Sequence, residues 1–130
     1  MNITIDTSAL IAVISNEQNK SKIIDATVGA TLNSPISVHW EIGNAFSAMF
    51  KRNSIELLDA EKALKIYKSI PIKFLDVPLE RTLHITKKFR MYAYDAYLIQ
   101  CAEQTSSPLL TLDKGLINIA KKMGIKTLEI

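Results

Sequence analysis

Four carboxylates stand where a soluble domain seldom leaves one unpartnered. Asp6 ends the apolar run Ile3-Thr4-Ile5, Glu41 lies beside the apolar stripe of a long helical stretch, Asp95 opens another helix, and Asp113 closes Leu109-Leu110-Thr111-Leu112. Desolvating a lone carboxylate costs several kcal/mol, so acids at core margins are paired or coordinated. Brought together without a basic partner, four of them would repel and hold some of their pKa values up unless a divalent cation sat among them. Oxygen donors in that number suit Mg²⁺ or Mn²⁺, which keep several waters and complete their shell with a substrate phosphate. The chemistry is phosphoryl transfer. Asp6 alone reads equally well as a turn cap; the other three acids change its meaning.

The elements that must position these acids follow from the hydrophobic pattern. Ile3-Thr4-Ile5 is a short strand, and Thr7-Ser8 supply hydroxyls to cap a helix over Ala9-Leu10-Ile11-Ala12-Val13. A second short helix spans residues 21–28 with Gly29 as its stop, followed by a weak strand at 30–33 closed by Ser34-Pro35. Ser37 is expected to cap a helix over 38–52 whose stripe is Ile42, Phe46, Met49 and Phe50, with Glu41 on the neighbouring strip. A helix over 55–69 offers Leu57, Leu58, Leu64, Ile66 and Tyr67 for packing. Residues 70–78, bounded by prolines, read as a strand or edge strand, and 79–89 as a helix. In the next helix Asp95, Leu98, Ile99 and Ala102 share one face. A buried strand over 109–112, a helix over 114–123 and a strand over 125–130 complete the chain. Strands alternating with helices imply a three-layer α/β/α sandwich around a mostly parallel sheet, with Asp6 and Asp113 sharing its carboxyl edge.

The length of 130 residues suits one domain, expected to span 1–130. A net charge of +3 and a pI near 9.0 permit nucleic-acid binding without requiring it. Cys101 is the only cysteine, which excludes an internal disulfide and a zinc cluster, and its apolar helical setting makes it a small buried hydrophobe. No apolar run reaches membrane-spanning length, and a cytoplasmic location is expected. His39 and His84 lack a second histidine at metal spacing and read as surface or packing residues. Trp40, Tyr92, Tyr94 and Tyr97 suit core or interface use better than base stacking, and Asp25, Asp59 and Asp76 have ordinary exposed-helix or strand-end explanations.

Four segments in order, Ile5-Asp6-Thr7-Ser8-Ala9-Leu10, Glu41-Ile42-Gly43-Asn44-Ala45, Tyr94-Asp95-Ala96-Tyr97-Leu98-Ile99 and Leu110-Thr111-Leu112-Asp113-Lys114, resemble the PIN-domain ribonucleases and, within them, the small VapC-like toxins of toxin-antitoxin pairs. The resemblance covers the whole chain. It implies that Asp6, Glu41, Asp95 and Asp113 are the acids that bind Mg²⁺ or Mn²⁺, the family varying most at the fourth, so that Asp113 acts directly or through water. Thr7 or Ser8, with Thr111, would orient them, and cleavage of RNA would leave a 5′-phosphate and a 3′-hydroxyl. It further implies a cognate antitoxin whose C-terminal segment lies over the acids with an Arg or Lys, and a homodimer formed through the first-half helices. Lys87, Lys88 and Arg90 are candidates for holding RNA backbone. Lys114 stands where the family often has a basic residue, whereas Lys51-Arg52 reads rather as a solvated helix end. A phosphate-accepting receiver would need an acidic pair after the first strand, and a haloacid-dehalogenase-type phosphatase an Asp where Ser8 stands. The rival is a PIN-like fold that binds RNA or protein without catalysis.

Overall fold

The computed structural model describes residues 1–130. Its first strand, β1 (Asn2–Ile5), is buried at Ile3, Thr4 and Ile5 alike, the pattern of a central parallel strand covered on both faces. The helix that follows, α1 (Thr7–Ile14), is apolar nearly all round and correspondingly buried. The chain continues through α2 (Lys20–Thr27), β2 (Thr31–Pro35), α3 (Ser37–Lys51), α4 (Leu57–Ser69), β3 (Ile72–Leu75), α5 (Leu79–Phe89), α6 (Ala93–Thr105), β4 (Leu109–Leu110), α7 (Lys114–Lys122) and β5 (Thr127–Leu128). Gly29 and Gly124 take positive φ just past α2 and α7, where a left-handed residue ends a helix without a Cβ penalty.

All pairings are parallel and the strand order is β3-β2-β1-β4-β5. The chain therefore starts at the centre, runs outward to β3, crosses back and fills the other side. Right-handed crossovers then put α1 to α4 on one face and α5 to α7 on the other, the expected three layers. Helix α1 packs against α2, α3 and α4, while α6 lies across β1, β2 and β4. Between β1 and β4 the winding reverses, and in such sheets the crevice beyond the carboxyl ends at the reversal is where ligands bind.

Several local expectations change. Asp6, not the Thr7-Ser8 pair, caps α1: its Oδ1 accepts from the Ala9 amide at 3.0 Å, an Asp being as good a cap as Ser and one residue better placed. Ser37 is the first helical residue of α3 rather than its cap, and Ile36 holds the capping position without a side-chain bond. Phe50, at the frayed end of the stripe, is exposed, as are Leu57, Leu58 and Ile66 on α4. β4 is two residues long because the chain turns at Thr111 to bring its hydroxyl to Asp6. Cys101 is buried, with its thiol pushed up to about 11 by desolvation, and Thr4 Oγ1 donates to its sulfur at 3.7 Å. His39 packs among Trp40, Tyr67 and Phe74, whereas Trp40 (67% exposed) and Tyr92 (87%) belong to no core. No helix is long and apolar enough to cross a membrane.

One buried polar tie joins α5 to α6. Gln100 Oε1 accepts from Thr82 Oγ1 at 2.5 Å, and its Nε2 donates to the Pro78 carbonyl at 2.9 Å. Gln100→Ala removes both bonds and leaves a cavity, so it should cost about 2–4 kcal/mol. Urea unfolding of the variant measures this, and a loss below about 0.5 kcal/mol would show that the tie carries no stability.

Candidate active site

The parallel register sets Asp6 beside the end of β4: Ile5 pairs with Leu110, and the Asp6 amide donates to the Leu110 carbonyl at 3.1 Å. Only 4% of Asp6 is exposed. Its carboxylate is held from three sides. Ser8 Oγ donates to its two oxygens at 2.8 and 2.9 Å, Thr111 Oγ1 donates to Oδ2, and the Ala9 amide caps Oδ1. The same hydroxyls tie in the loop before α7, since Ser8 Oγ accepts from the Leu112 amide and Thr111 Oγ1 from the Asp113 amide, each at 3.0 Å. Burial nevertheless outweighs these bonds and raises the Asp6 pKa, with the charge of Asp113 adding to the effect.

Glu41 enters from the second turn of α3. Burial, then the charges of Asp6 and Asp95, push its carboxyl up to about 7. Thr7 eases this only in part. The Thr7 hydroxyl lies near enough to act on the Glu41 charge but makes no well-formed hydrogen bond to it, and it and Glu41 Oε2 are both closed off from solvent without another partner. Asp95 sits half-buried in the first turn of α6, above its usual range through burial and the charge of Asp113. Leu98, Ile99 and Ala102, on its helix face, are buried as the spacing predicts. Asp113 is exposed and caps α7, its Oδ1 accepting from the amides of Gly115 at 2.8 Å and Leu116 at 3.3 Å, which leaves Oδ2 free.

These mutual charge effects place the four acids in one electrostatic neighbourhood, drawn from four separate segments of the chain. As the side chains stand, no three Asp, Glu, His or Cys groups lie at a spacing that encloses one ion. The donor set itself fits a hard divalent cation. It is all oxygen, it includes the unpartnered Glu41 Oε2, and the chain's ion pairs, Arg81 with Glu103 and Lys121 with Glu129, neutralise none of it. Asp6 is fixed by its three bonds, while half-buried Glu41 and Asp95 and exposed Asp113 retain the side-chain freedom needed to close on an ion.

The basic candidates lie outside this cluster of bonds. Lys87 and Lys88 are exposed in the last turn of α5, Arg90 takes a left-handed conformation in the turn leading to α6, and Lys114 opens α7 in solvent next to Asp113. A groove of about 870 Å³ lies at the opposite, amino edge of the sheet beside Met1, Pro108 and Lys126, away from the four acids. Sequence reasoning gave Ser37 only a capping role, and its hydroxyl is buried without a partner one helical turn before Glu41. An i, i+4 comparison with Glu41 would have drawn attention to it.

The raised carboxyls make a stability prediction. An acid held above its unfolded value binds more protons folded than unfolded between the two pKa values, so stability falls as pH rises through that window. For Glu41 the window runs from 4.5 to about 7. In EDTA the melting temperature should therefore be lower at pH 8 than at pH 5, and added Mg²⁺ should raise it more at pH 8. Glu41→Gln should recover about 1 kcal/mol at pH 8 after discounting for partial exposure, or ~4 °C. Calorimetry showing no fall between pH 5 and pH 8 in the ion-free protein would contradict the charge coupling.

Comparison with known proteins agrees with this fold. The PIN domain model matches residues 3–122. Among solved structures, PAE2754 from Pyrobaculum aerophilum superposes with a TM-score of 0.72 at 22% identity, over 92% of this chain and 87% of that one. VapBC2 from Rickettsia felis, bound to a DNA fragment from their promoter, gives 0.66 at 14% identity over 99% and 98%. FitAcB from Neisseria gonorrhoeae gives 0.59 at 16% over 98% and 96%. Comparison with curated proteins found no match. The solved structures share the fold, and the family model, running from the first strand through the last helix, shows that the chain belongs to the PIN-domain family.

Proposed function

We propose that this PIN-domain chain is a metal-dependent endoribonuclease and the toxin of a toxin-antitoxin pair. The observation that carries the reading is the meeting of Asp6, Glu41, Asp95 and Asp113 at the reversal point of the sheet, with burial and mutual repulsion holding Glu41 near 7 and no cationic side chain to relieve it. Asp6, Glu41 and Asp95 would hold Mg²⁺ or Mn²⁺, with Asp113 acting directly or through water. When bound, such an ion supplies a water of lowered pKa and positive charge against the phosphate. Asp6 serves as the fixed point, because Ser8 and Thr111 spend their hydrogens on it, favouring its ionised form against the burial that opposes it and keeping the carboxylate aimed. Glu41 gains and loses its proton around neutrality, so cation binding and proton release at its carboxyl are linked and affinity rises with pH. Thr7, whose hydroxyl eases the Glu41 charge, is the group at hand to orient that carboxyl once a bond closes, and Lys87, Lys88, Arg90 and Lys114 are available to RNA phosphates.

An uncompensated acidic crevice also suits an antitoxin segment that brings an Arg or Lys into it. The likeness to VapBC2 and FitAcB supports a protein partner of that kind. A second copy would cover apolar side chains exposed in the first half, Leu57 and Leu58 among them. The alternative, a PIN-like module that binds without cutting, is favoured by the spacing of the acids as they stand, none of them arranged three to an ion.

Cleavage of a structured RNA in Mg²⁺ or Mn²⁺ separates the two readings. Asp6→Asn and Asp95→Asn should each lower the rate at least ~10²-fold while leaving the fold intact, since Asn keeps the capping acceptor at position 6. Thr111→Val should lose less, about tenfold, by freeing Asp6 to rotate. A variant of either Asp that cut at the wild-type rate would remove that residue from the machinery. For the partner, expression of the chain alone should stop growth, and co-expression with a neighbouring small gene should restore it; colony counts with no rescue by any adjacent reading frame would end the toxin reading.

A further inference from the structure

Beside the acids the carboxyl edge holds a second concavity, of about 230 Å³, whose lining includes Ile36, Ser37, Asp76, Val77, Leu79 and Tyr97. Three connections tie it to the site. Ser37 lies one turn ahead of Glu41 on α3, ~6 Å along the axis. Tyr97 belongs to the helix that Asp95 opens. Ser34 Oγ donates to the Ile5 carbonyl at 2.6 Å, fastening the end of β2 to the residue before Asp6.

The walls are apolar on the side of Ile36, Val77 and Leu79 and aromatic at Tyr97, which suits a flat ring more than a phosphate or an extended chain. Two polar groups interrupt that lining. Ser37 is only 8% exposed, and its hydroxyl is closed off from solvent without a partner, which native interiors seldom allow, so it meets a ligand by turning about χ1. Asp76 is an exposed carboxylate, an acceptor that can take two adjacent N–H groups. Among nucleobases, guanine presents such a pair at N1–H and N2–H₂, with the O6 acceptor next to them for a serine hydroxyl. Single-stranded RNA is read in this way, by stacking a splayed base and bonding its edge.

We propose that this cavity receives one unpaired base of the RNA next to the bond that is cut, and that it selects guanine through Asp76 and Ser37. The inference rests on the nuclease reading for its substrate but not for its test. In EDTA, where no bond is broken, five-nucleotide single-stranded RNAs that differ in one central base are titrated into the full chain, and the methyl NMR signals of Val77 and Leu79 are followed. The guanine pentamer should bind about tenfold more tightly than the other three, a discrimination typical of a paired edge contact. Asp76→Asn should abolish the preference and Ser37→Ala weaken it, with both proteins folded because neither change removes a bond made in the free chain. Equal binding of all four bases, or a guanine preference untouched by Asp76→Asn, would overturn the proposal. Mapping 5′ ends after cleavage in Mg²⁺ separates the two inferences. Selective binding without any cleavage would sink the nuclease reading and leave the pocket standing, whereas cleavage with no base preference beside the cut would do the reverse.

Discussion

The site turns on carboxylates desolvated close to one another with no cationic side chain to relieve them. Asp6 cannot move away from its neighbours, because it caps α1 and accepts from Ser8 and Thr111 at the same time. Glu41 and Asp95 ride on helices packed to the core through Ile42 and through Leu98, Ile99 and Ala102, so their backbones are held in place and only their side chains can turn. The cost appears as carboxyls held above their ordinary range, chiefly by burial and further by one another's charge. A sequence selected for stability alone would replace one of these acids with an apolar or amide side chain, and retaining them is the trade of stability for function that binding sites show.

The sheet makes the repulsion unavoidable by its order of winding. Because β1 is central and is followed outward by β2 and β3, the chain must return past it to form β4, and the reversal falls between the two strands whose ends carry Asp6 and Thr111. Polar groups in the core keep this arrangement in register. Thr4 Oγ1 lies 2.8 Å from Ser107 Oγ, joining β1 to the residue ahead of β4 at the far edge, while Ser8 and Thr111 join them at the near one. The acids differ in consequence. Asp6 is immobile and buried, and Asp113, exposed and occupied on one oxygen by the α7 amides, can adapt to what arrives.

How much of this was legible follows from the kind of signal each feature leaves. The all-buried β1 and the face carrying Asp95, Leu98, Ile99 and Ala102 are written in period and apolarity, and both formed as read. So was the approach of Asp6 and Asp113 to one edge, since each closes an apolar run. The capping of α1 was not, because Asp, Thr and Ser are near-equal caps in adjacent positions and only backbone geometry chooses among them. The length of β4 was misjudged for a related reason: Leu112 looks like a strand residue, but the hydrogen bond from Thr111 to Asp6 takes the chain out of the ladder first. Stripe positions such as Phe50 depend on whether a neighbouring helix reaches them, which periodicity does not encode. Ser37, Asp76 and Tyr97 come from three separate segments with ordinary local roles, so their meeting has no signature in spacing.

The unpartnered polar atoms give the edge a unity that its hydrogen bonds do not. Four buried side-chain atoms lack partners: Thr7 Oγ1, Ser15 Oγ, Ser37 Oγ and Glu41 Oε2. Ser15 lies at the far end of α1, and the other three lie at the carboxyl edge, two of them one turn apart on α3. Buried polar groups left unpaired cost about 1–3 kcal/mol each, so chance placement would scatter them and selection for stability would remove them. Two of them share one face of α3, Glu41 at the acids and Ser37 at the small cavity, and Thr7 of α1 stands beside the first. An ion alone would satisfy Glu41 and leave Ser37 idle. A ligand long enough to place a phosphate at the first and a base at the second would satisfy both.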